Sequence, residues 1–584
     1  MKNITFLKII AFFVIFTNIY SQQNSQNYKP RSAEFEFYQN IGDTIIVNLR
    51  QPQLTTQLNS TFQSKLPYPI IFIHGLNSSS ETWNTSLDYY DSQYNWLFGG
   101  RFDFCLNADG NNATTNTNFF PVTGADIAAF DTSMQNADYY TVNFNVNTDG
   151  SIGTNALSNQ SAIYKQGAAL KKAIERVLQL TGKNKVILVG HSMGGLASRQ
   201  YIQNTENWQP DNAHHVAKLL TLGTPHGGSN ASDSNLGWFA GIDTRSEAIR
   251  DLKITYYYSG DAGRFLFGGL EVNNANNMNE HTSDPDFYNF DVNCNGTLGD
   301  NVIGLNAKPI DHYIDFSSVI GRITNWLGQN INTDGVVDEP QSKMDEYLTG
   351  LTFPTKLFYF NSGYDLVENH TELPSYYYQM MQGLDEPNVK ELAYEIETNT
   401  QYTGFTTVQN PIASDNDFYK FTISEDYDTT VSISNIVTSA MNASILDSNG
   451  NVIGSVQNNS GNTLQFNQIL GSGNYYLKIV SINPSNTDYE TPYQFIITTT
   501  LSNENYFSKE MVYYPNPVKN ILHINNVLLS KIKIINYLGQ TIIENNLDNT
   551  TLNHSINVSN LQKGVYIVSL ENKNEVKTIK IIKE

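Results

Sequence analysis

A serine stands between two glycines in Gly190-His191-Ser192-Met193-Gly194, directly after the apolar run Val186-Ile187-Leu188-Val189. The stretch that follows, Leu196 to Ile202, carries apolar residues at helical spacing. Strand, sharp turn and helix in that order make a nucleophile elbow. The turn holds strained backbone angles, the glycines leave room for helix and sheet to approach, and the hydroxyl is pushed out at the strand end. A serine hydroxyl is a poor nucleophile near neutral pH, so a base must take its proton and an acid must hold that base in the right tautomer.

After such an elbow, the acid and then the histidine come on loops behind later strands. Asp334, in Asn332-Thr333-Asp334-Gly335-Val336-Val337, follows a strand near Tyr313, and His370, in Asn369-His370-Thr371-Glu372, follows one near Lys356. Asp334 is the expected acid and Asp338 the nearby alternative. An aspartate before glycine is also common in plain turns; its place between Ser192 and a suitable histidine singles Asp334 out. His312 precedes the acid, and His523 and His554 lie near the end of the chain. His226, in Thr224-Pro225-His226-Gly227-Gly228, is the rival base, and chain order makes it a pocket or structural residue. The oxyanion formed at an attacked carbonyl needs donors already in place. The expected ones are the backbone amides of Met193 and of Leu76, the latter in Ile73-His74-Gly75-Leu76-Asn77, where Gly75 lets the chain curl inward.

These residues need a rigid frame. From about Pro67 to Glu395 short apolar strands alternate with helical stretches, which predicts a mostly parallel sheet covered on both faces. Strands are expected at Pro69–Ile73, Tyr139–Phe144, Lys185–Val189, Val216–Leu222, Tyr313–Ile320 and Lys356–Phe360, with a helix over Gln166–Gln179. Beyond Thr400 helices disappear, and period-two strands separated by Asn, Asp, Gly and Ser predict two small all-β sandwiches. The fold class is therefore α/β followed by all-β modules.

At 584 residues the chain is long enough for about three or four domains, and 40% hydrophobic with 12% aromatic residues suffices for packed cores. A net charge of −21 opposes nucleic acid and anionic lipid surfaces as partners. Met1-Lys2-Asn3 and Lys8, the apolar stretch Ile9–Ile19 and then Ser21 read as a secretory signal over 1–21, since the apolar run falls short of the ~20 residues of a membrane span. Residues 22–66 form an N-terminal extension, 67–395 the catalytic domain, 400–501 an accessory β-sandwich and 510–584 a terminal one. The Asn-, Gly- and aromatic-rich stretch 230–301 interrupts the catalytic domain either as a lid or as a plain surface insertion; both readings stand.

Cys105 and Cys294 are the two cysteines, and an exported chain permits a disulfide between them or two separate thiols. The chemistry requires no cofactor. A structural calcium ion is weighed at Asp291-Val292-Asn293-Cys294-Asn295-Gly296, whose twelfth position is Val302 where a calcium loop needs Glu. A second place is Asp415 with Asp417, against their reading as solvated turn carboxylates.

Together Ile71-Phe72-Ile73-His74-Gly75, Gly190-His191-Ser192-Met193-Gly194-Gly195 and Leu222-Gly223-Thr224-Pro225-His226-Gly227-Gly228 resemble the lipase and GPI inositol-deacylase-like branch of the α/β-hydrolases. The resemblance implies an α/β-hydrolase fold and carboxylic-ester hydrolysis, often of acyl lipids. Asp334-Gly335-Val336-Val337 resembles the acid loop of secreted bacterial lipases, with a longer gap to His370. Residues from about 400 to 501 resemble pre-peptidase C-terminal β-sandwiches through the Asp-rich opening, the Asp447–Gly450 turn and Gly473-Asn474-Tyr475-Tyr476. Tyr514-Pro515-Asn516-Pro517, Asn536-Tyr537-Leu538-Gly539-Gln540 and Leu561-Gln562-Lys563-Gly564-Val565-Tyr566 resemble the C-terminal sorting domain of type IX secretion in Bacteroidetes. This implies a secretion-machinery partner, passage through the outer membrane, and release or attachment at the surface. The expectation is a secreted serine esterase or lipase. The alternatives are an acyltransferase, amidase or polyester depolymerase on the same site, or a surface-binding protein without catalysis.

Overall fold

The computed structural model describes residues 62–106, 127–131, 134–146, 157–229, 246–252, 303–325, 327–348, 350–362, 368–408, 414–437, 440–457, 461–483, 488–501, 511–572 and 575–584, with positions 40–41, 44–45, 152 and 231 besides. The signal at 1–21, nearly all of 22–66, most of the 230–301 insertion, and the Asp291–Gly296 loop with Cys294 lie outside the described residues. The chain forms two compact units: one runs to Ser424 and takes in Thr429–Thr499, the other comprises Glu425–Asp428 and Thr500–Glu584.

The α/β part is built on a nine-stranded sheet. Its strands are β1 (Ile70–Ile73), β2 (Phe98–Leu106), β3 (Ile127–Asp131), β4 (Tyr139–Asn143), β5 (Val186–His191), β6 (Val216–Leu222), β7 (Asp315–Thr324), β8 (Asn330–Ile331) and β9 (Lys356–Ser362). They lie in the order β8-β7-β6-β5-β1-β4-β2-β3, with β9 also paired to β7. Only β3 and β8 run antiparallel to their neighbours. Every residue of β1, β5 and β6 is buried. This is the consequence of a parallel sheet covered on both faces, where strands read as continuous apolar runs.

Sequence periodicity placed the Val216–Leu222 strand at its observed bounds and the other expected strands to within four residues. It missed β2, because Gly99-Gly100 and the charges of Arg101 and Asp103 break the apolar run. The burial is made tolerable locally: Arg101 Nε donates to Asp103 Oδ1 at 2.7 Å, and Asn143 Nδ2 donates to the same oxygen at 2.8 Å.

Helix α1 (Ile163–Thr181) buries Ala169, Leu170, Ala173, Ile174 and Val177, spacing that puts one apolar face on the sheet. It ends at Gly182, whose φ of +67° suits glycine and whose N–H closes on Leu178 O. Two free N–H groups at its start are taken by carboxylates, Ala162 N by Glu247 Oε2 and Ile163 N by Asp251 Oδ2, each at 2.9 Å. Glu247 also forms a buried ion pair with Lys165 at 3.0 Å. The described part of the 230–301 insertion, the helix Glu247–Leu252, is thus tied into the domain interior.

The first unit also contains a five-stranded sheet with the outer order Tyr394–Glu395, Asn416–Ile423, Gly473–Ser481, Met441–Leu446 and Val452–Gln457. A four-stranded sheet consists of Gln401–Thr406, Asp488–Leu501, Tyr427–Ser434 and Leu464–Leu470, of which residues 427–428 and 500–501 fall to the second unit. The second unit has a three-stranded and a four-stranded antiparallel sheet around Val518, Leu522, Ile524, Ile532, Ile534, Val568 and Leu570. The α/β sheet followed by antiparallel all-β sheets is the fold class the sequence predicts.

Candidate active site

Parallel register brings the strand ends together. Ile73 pairs with Gly190, His191 with Leu222, and Leu222 with Val319, so β1, β5, β6 and β7 finish side by side. Ligands of open α/β sheets lie beyond these carboxyl ends. Ser192 follows β5 at φ +52° and ψ −125° and starts α2 (Met193–Gln203). A non-glycine residue held there costs about 1–3 kcal/mol and persists only where its surroundings dictate it. One such restraint is its own amide, which donates to Leu222 O at 2.8 Å.

Asp334 and His370 are brought together: His370 Nδ1 lies 2.7 Å from Asp334 Oδ2, with the aspartate fully buried and the histidine nearly so. The Asp334 turn follows the β7–β8 hairpin, and its second oxygen accepts from Val336 N at 3.0 Å and Val337 N at 2.7 Å. Gly335 takes φ +93°, the left-handed conformation that this turn requires. His370 sits on the short helix α3 (Glu368–Glu372) behind β9. Asp338 is exposed and heads a four-residue helix.

Met193 is the first residue of α2, where helical amides have no internal partner, and Leu76 lies in the loop that follows β1. The Leu76 loop is held from α1's side of the sheet. Asn159 Nδ2 donates to Gly75 O at 3.2 Å, and its Oδ1 accepts from Asn77 N at 2.5 Å. His74 Nε2 accepts from Phe144 N at 2.9 Å, so Nδ1 carries the proton and donates to Gly75 O at 2.8 Å. Burial pushes the His74 imidazole down to about 4, which keeps it a neutral structural residue.

The glycines of the three motifs mesh. A Cβ on Gly194 would lie 2.4 Å from Ile73 O, and one on Gly75 would lie 2.7 Å from Ser192 Cβ. One on Gly223 would lie 2.8 Å from Asp334 Oδ2 and 3.1 Å from His370 Nδ1. The Leu222-to-Gly228 motif therefore borders the acid–base pair. Its His226 is turned away into a buried polar set, 3.3 Å from Arg199 Nη1 and 3.2 Å from Thr221 Oγ1. Burial and the Arg199 charge hold His226 well below the usual histidine range.

The sequence reasoning overlooked Asn159, whose only signal was an amide near the start of α1. His191 carried no signal beyond its place in the pentapeptide. Of the two readings of Asp415 and Asp417, the solvated-turn one is corrected, since both carboxylates are buried. One carboxylate oxygen each from Asp385, Asp415 and Asp417 falls within 4.8 Å of the others. Lys356 Nζ lies 2.9 Å from Asp385 Oδ2 within this group. Burial and the neighbouring acids hold the Asp415 and Asp417 carboxyls well above their ordinary range and push Glu386 up to about 8. Lys356 and retained protons therefore meet the charge.

Residues 67–247 match the family described as the PGAP1-like alpha/beta domain, a stretch that holds the His74-Gly75 loop, the Ser192 elbow and the Gly223–Gly228 turn. The match covers the first part of the α/β sheet, from β1 to the segment after β6. Asp334 and His370 lie beyond the matched residues, so their pairing is a finding of the fold and not of the match. Residues 512–584 match the secretion system C-terminal sorting domain, which makes up the second unit's two sheets. A triacylglycerol lipase of Pseudarthrobacter phenanthrenivorans is 41% identical over 68 residues, 12% of this chain and 19% of that protein. Triacylglycerol lipase 2 of Saccharomyces cerevisiae is 30% identical over 90 residues, 15% of this chain and 26% of that protein. The chain thus spans about a fifth to a quarter of the length of these relatives. Among solved structures, the Bacillus licheniformis lipase BlEst2 gives a TM-score of 0.25 at 17% identity, covering 54% of this chain and 89% of that one. The pre-peptidase C-terminal domain of Bacillus anthracis collagenase gives 0.16 at 21% identity, covering 20% and 99%.

Proposed function

We propose that this chain is an exported serine carboxylic-ester hydrolase, a lipase or esterase, with residues 67–395 as its catalytic domain and 400–501 as an accessory module. Ser192 Oγ attacks the ester carbonyl carbon while His370 Nε2 takes its proton, and Asp334 holds the imidazole and balances its charge. The oxyanion is met by the amides of Met193 and Leu76. Collapse expels the alcohol, which takes the proton from His370, and leaves the acyl group on Ser192. Water then attacks that acyl carbon with His370 as base, releasing the acid and restoring the serine. These steps use side chains, backbone amides and water alone.

The observation that carries this reading is the buried Asp334–His370 pair at 2.7 Å, beside an elbow whose serine stands at φ +52° and whose preceding residue, His191, contacts the His370 carbonyl. Ser192→Ala should lower hydrolysis of short- and long-chain acyl esters by about a million-fold, and should abolish labelling by a fluorophosphonate. An unchanged rate would sink the reading. Export is read from the signal at 1–21 and the sorting domain at 510–584. Removing 510–584 should keep the chain within the cell, and its undiminished appearance outside would refute that part.

A further inference from the structure

His191 occupies a position that the elbow motif leaves open, yet its side chain reaches across the site. Its Nε2 lies 2.9 Å from the backbone carbonyl oxygen of His370, and the two imidazoles lie against one another, tilted at 41° with centroids 4.9 Å apart. A carbonyl oxygen only accepts, so Nε2 must carry the proton. Nδ1 is then a bare lone pair, buried and without a hydrogen-bond partner among the described residues. It faces the glycine of the Leu76 loop, 3.3 Å from where a Gly75 Cβ would stand. The ring of Trp83 closes the remaining edge, with centroids 6.4 Å apart at 88°. Burial, with the neighbouring imidazoles of His370 and His74 acting in the same direction, keeps His191 well below the usual histidine range.

We infer that His191 is a positioning residue that anchors the backbone of His370, so that the base is held at two points. Asp334 fixes the imidazole through Nδ1, and His191 fixes the main chain from which that imidazole hangs. The short helix α3 has only five residues, too few to hold its own geometry through internal hydrogen bonds. The anchor comes from the residue directly before the nucleophile, so the distance between base and nucleophile is set through two adjacent residues of one strand end. Loss of the donor would leave a buried carbonyl unpaired and let α3 drift, and sub-ångström misplacement of a catalytic group lowers turnover steeply.

This inference rests on the hydrolase reading above, and the test separates the two. His191→Phe keeps a ring against His370 but cannot donate, whereas His191→Gln places an amide donor near the Nε2 position. For the full chain, His191→Phe should lower kcat by about ten- to a hundred-fold with KM changed less than about three-fold, and His191→Gln should recover most of that loss. Equal impairment of both variants, or a wild-type kcat in His191→Phe, overturns the anchoring role. Ser192→Ala run alongside distinguishes the failures: if it too retains activity, the hydrolase reading falls with the inference. The unmutated protein supplies a readout independent of variant folding. Nitrogen-15 spectra of its histidines should place His191 in the neutral tautomer protonated at Nε2, and a tautomer protonated at Nδ1 refutes the proposal.

Discussion

Asp334 presents one carboxylate oxygen to His370 at 2.7 Å and commits the other to two backbone amides of its own turn, those of Val336 and Val337. The carboxylate is aimed before substrate arrives, and its orientation does not depend on the histidine. Asp334→Asn should therefore lower kcat by about four orders of magnitude, the scale expected when the wrong tautomer is favoured at the base. Exposed Asp338, replaced by Asn, should stay within about two-fold of wild type. Steady-state kinetics on a soluble ester checks both, and a reversed pattern would move the acid to Asp338.

Asn159 bridges Gly75 O and Asn77 N on either side of Leu76. Its replacement by Ala removes both restraints but leaves the Leu76 amide in the chain. Turnover should fall on the order of ten-fold, less than the hundred- to thousand-fold of deleting an oxyanion donor outright, with little change in KM. A KM effect alone would assign Asn159 to substrate binding instead.

Gly194 faces the carbonyl oxygens of Ile73 and His74, which would stand 2.4 and 2.6 Å from an added Cβ. Both obstacles are backbone at the end of β1, so they cannot rotate aside. Gly194→Ala should cost about 3 kcal/mol or more, at or above the upper end of ordinary overpacking. Denaturant melts measure this, and a loss under about 1 kcal/mol would mean that α2 can slide along the sheet.

Glu386 connects pH to stability. Burial, reinforced by Asp385, raises its carboxyl from 4.5 to about 8. The folded state therefore prefers the protonated form. Its contribution is complete below about pH 4.5, declines as pH rises, and is lost above about pH 8. Asp385, Asp415, Asp417 and Lys356 share the same buried group. The chain should melt at a lower temperature at pH 8 than at pH 5, and Glu386→Gln should flatten that difference. Parallel slopes in calorimetry would show that Glu386 ionises without penalty beside Lys356.

The elbow, the His74-Gly75 loop and the strands beneath them were legible in the sequence, because each depends on residues within one turn of one another. Apolar runs such as Ile70–Ile73 and Val216–Leu222 can satisfy their burial only inside a covered parallel sheet, and glycine is needed wherever two backbones touch. Local pattern could rank Asp334 above Asp338 only by chain order. It could not assign a role to His191, whose partner lies 179 residues away, or see that Asp415 and Asp417 would be buried. Those outcomes depend on which strand ends register with which. The sequence by itself marked the candidate nucleophile, its candidate partners and the layered frame. Only the tertiary structure decided that Asp334 meets His370 and that His191 reaches the His370 carbonyl, because such pairings are set by the folded register of distant segments and leave no periodic mark on the chain.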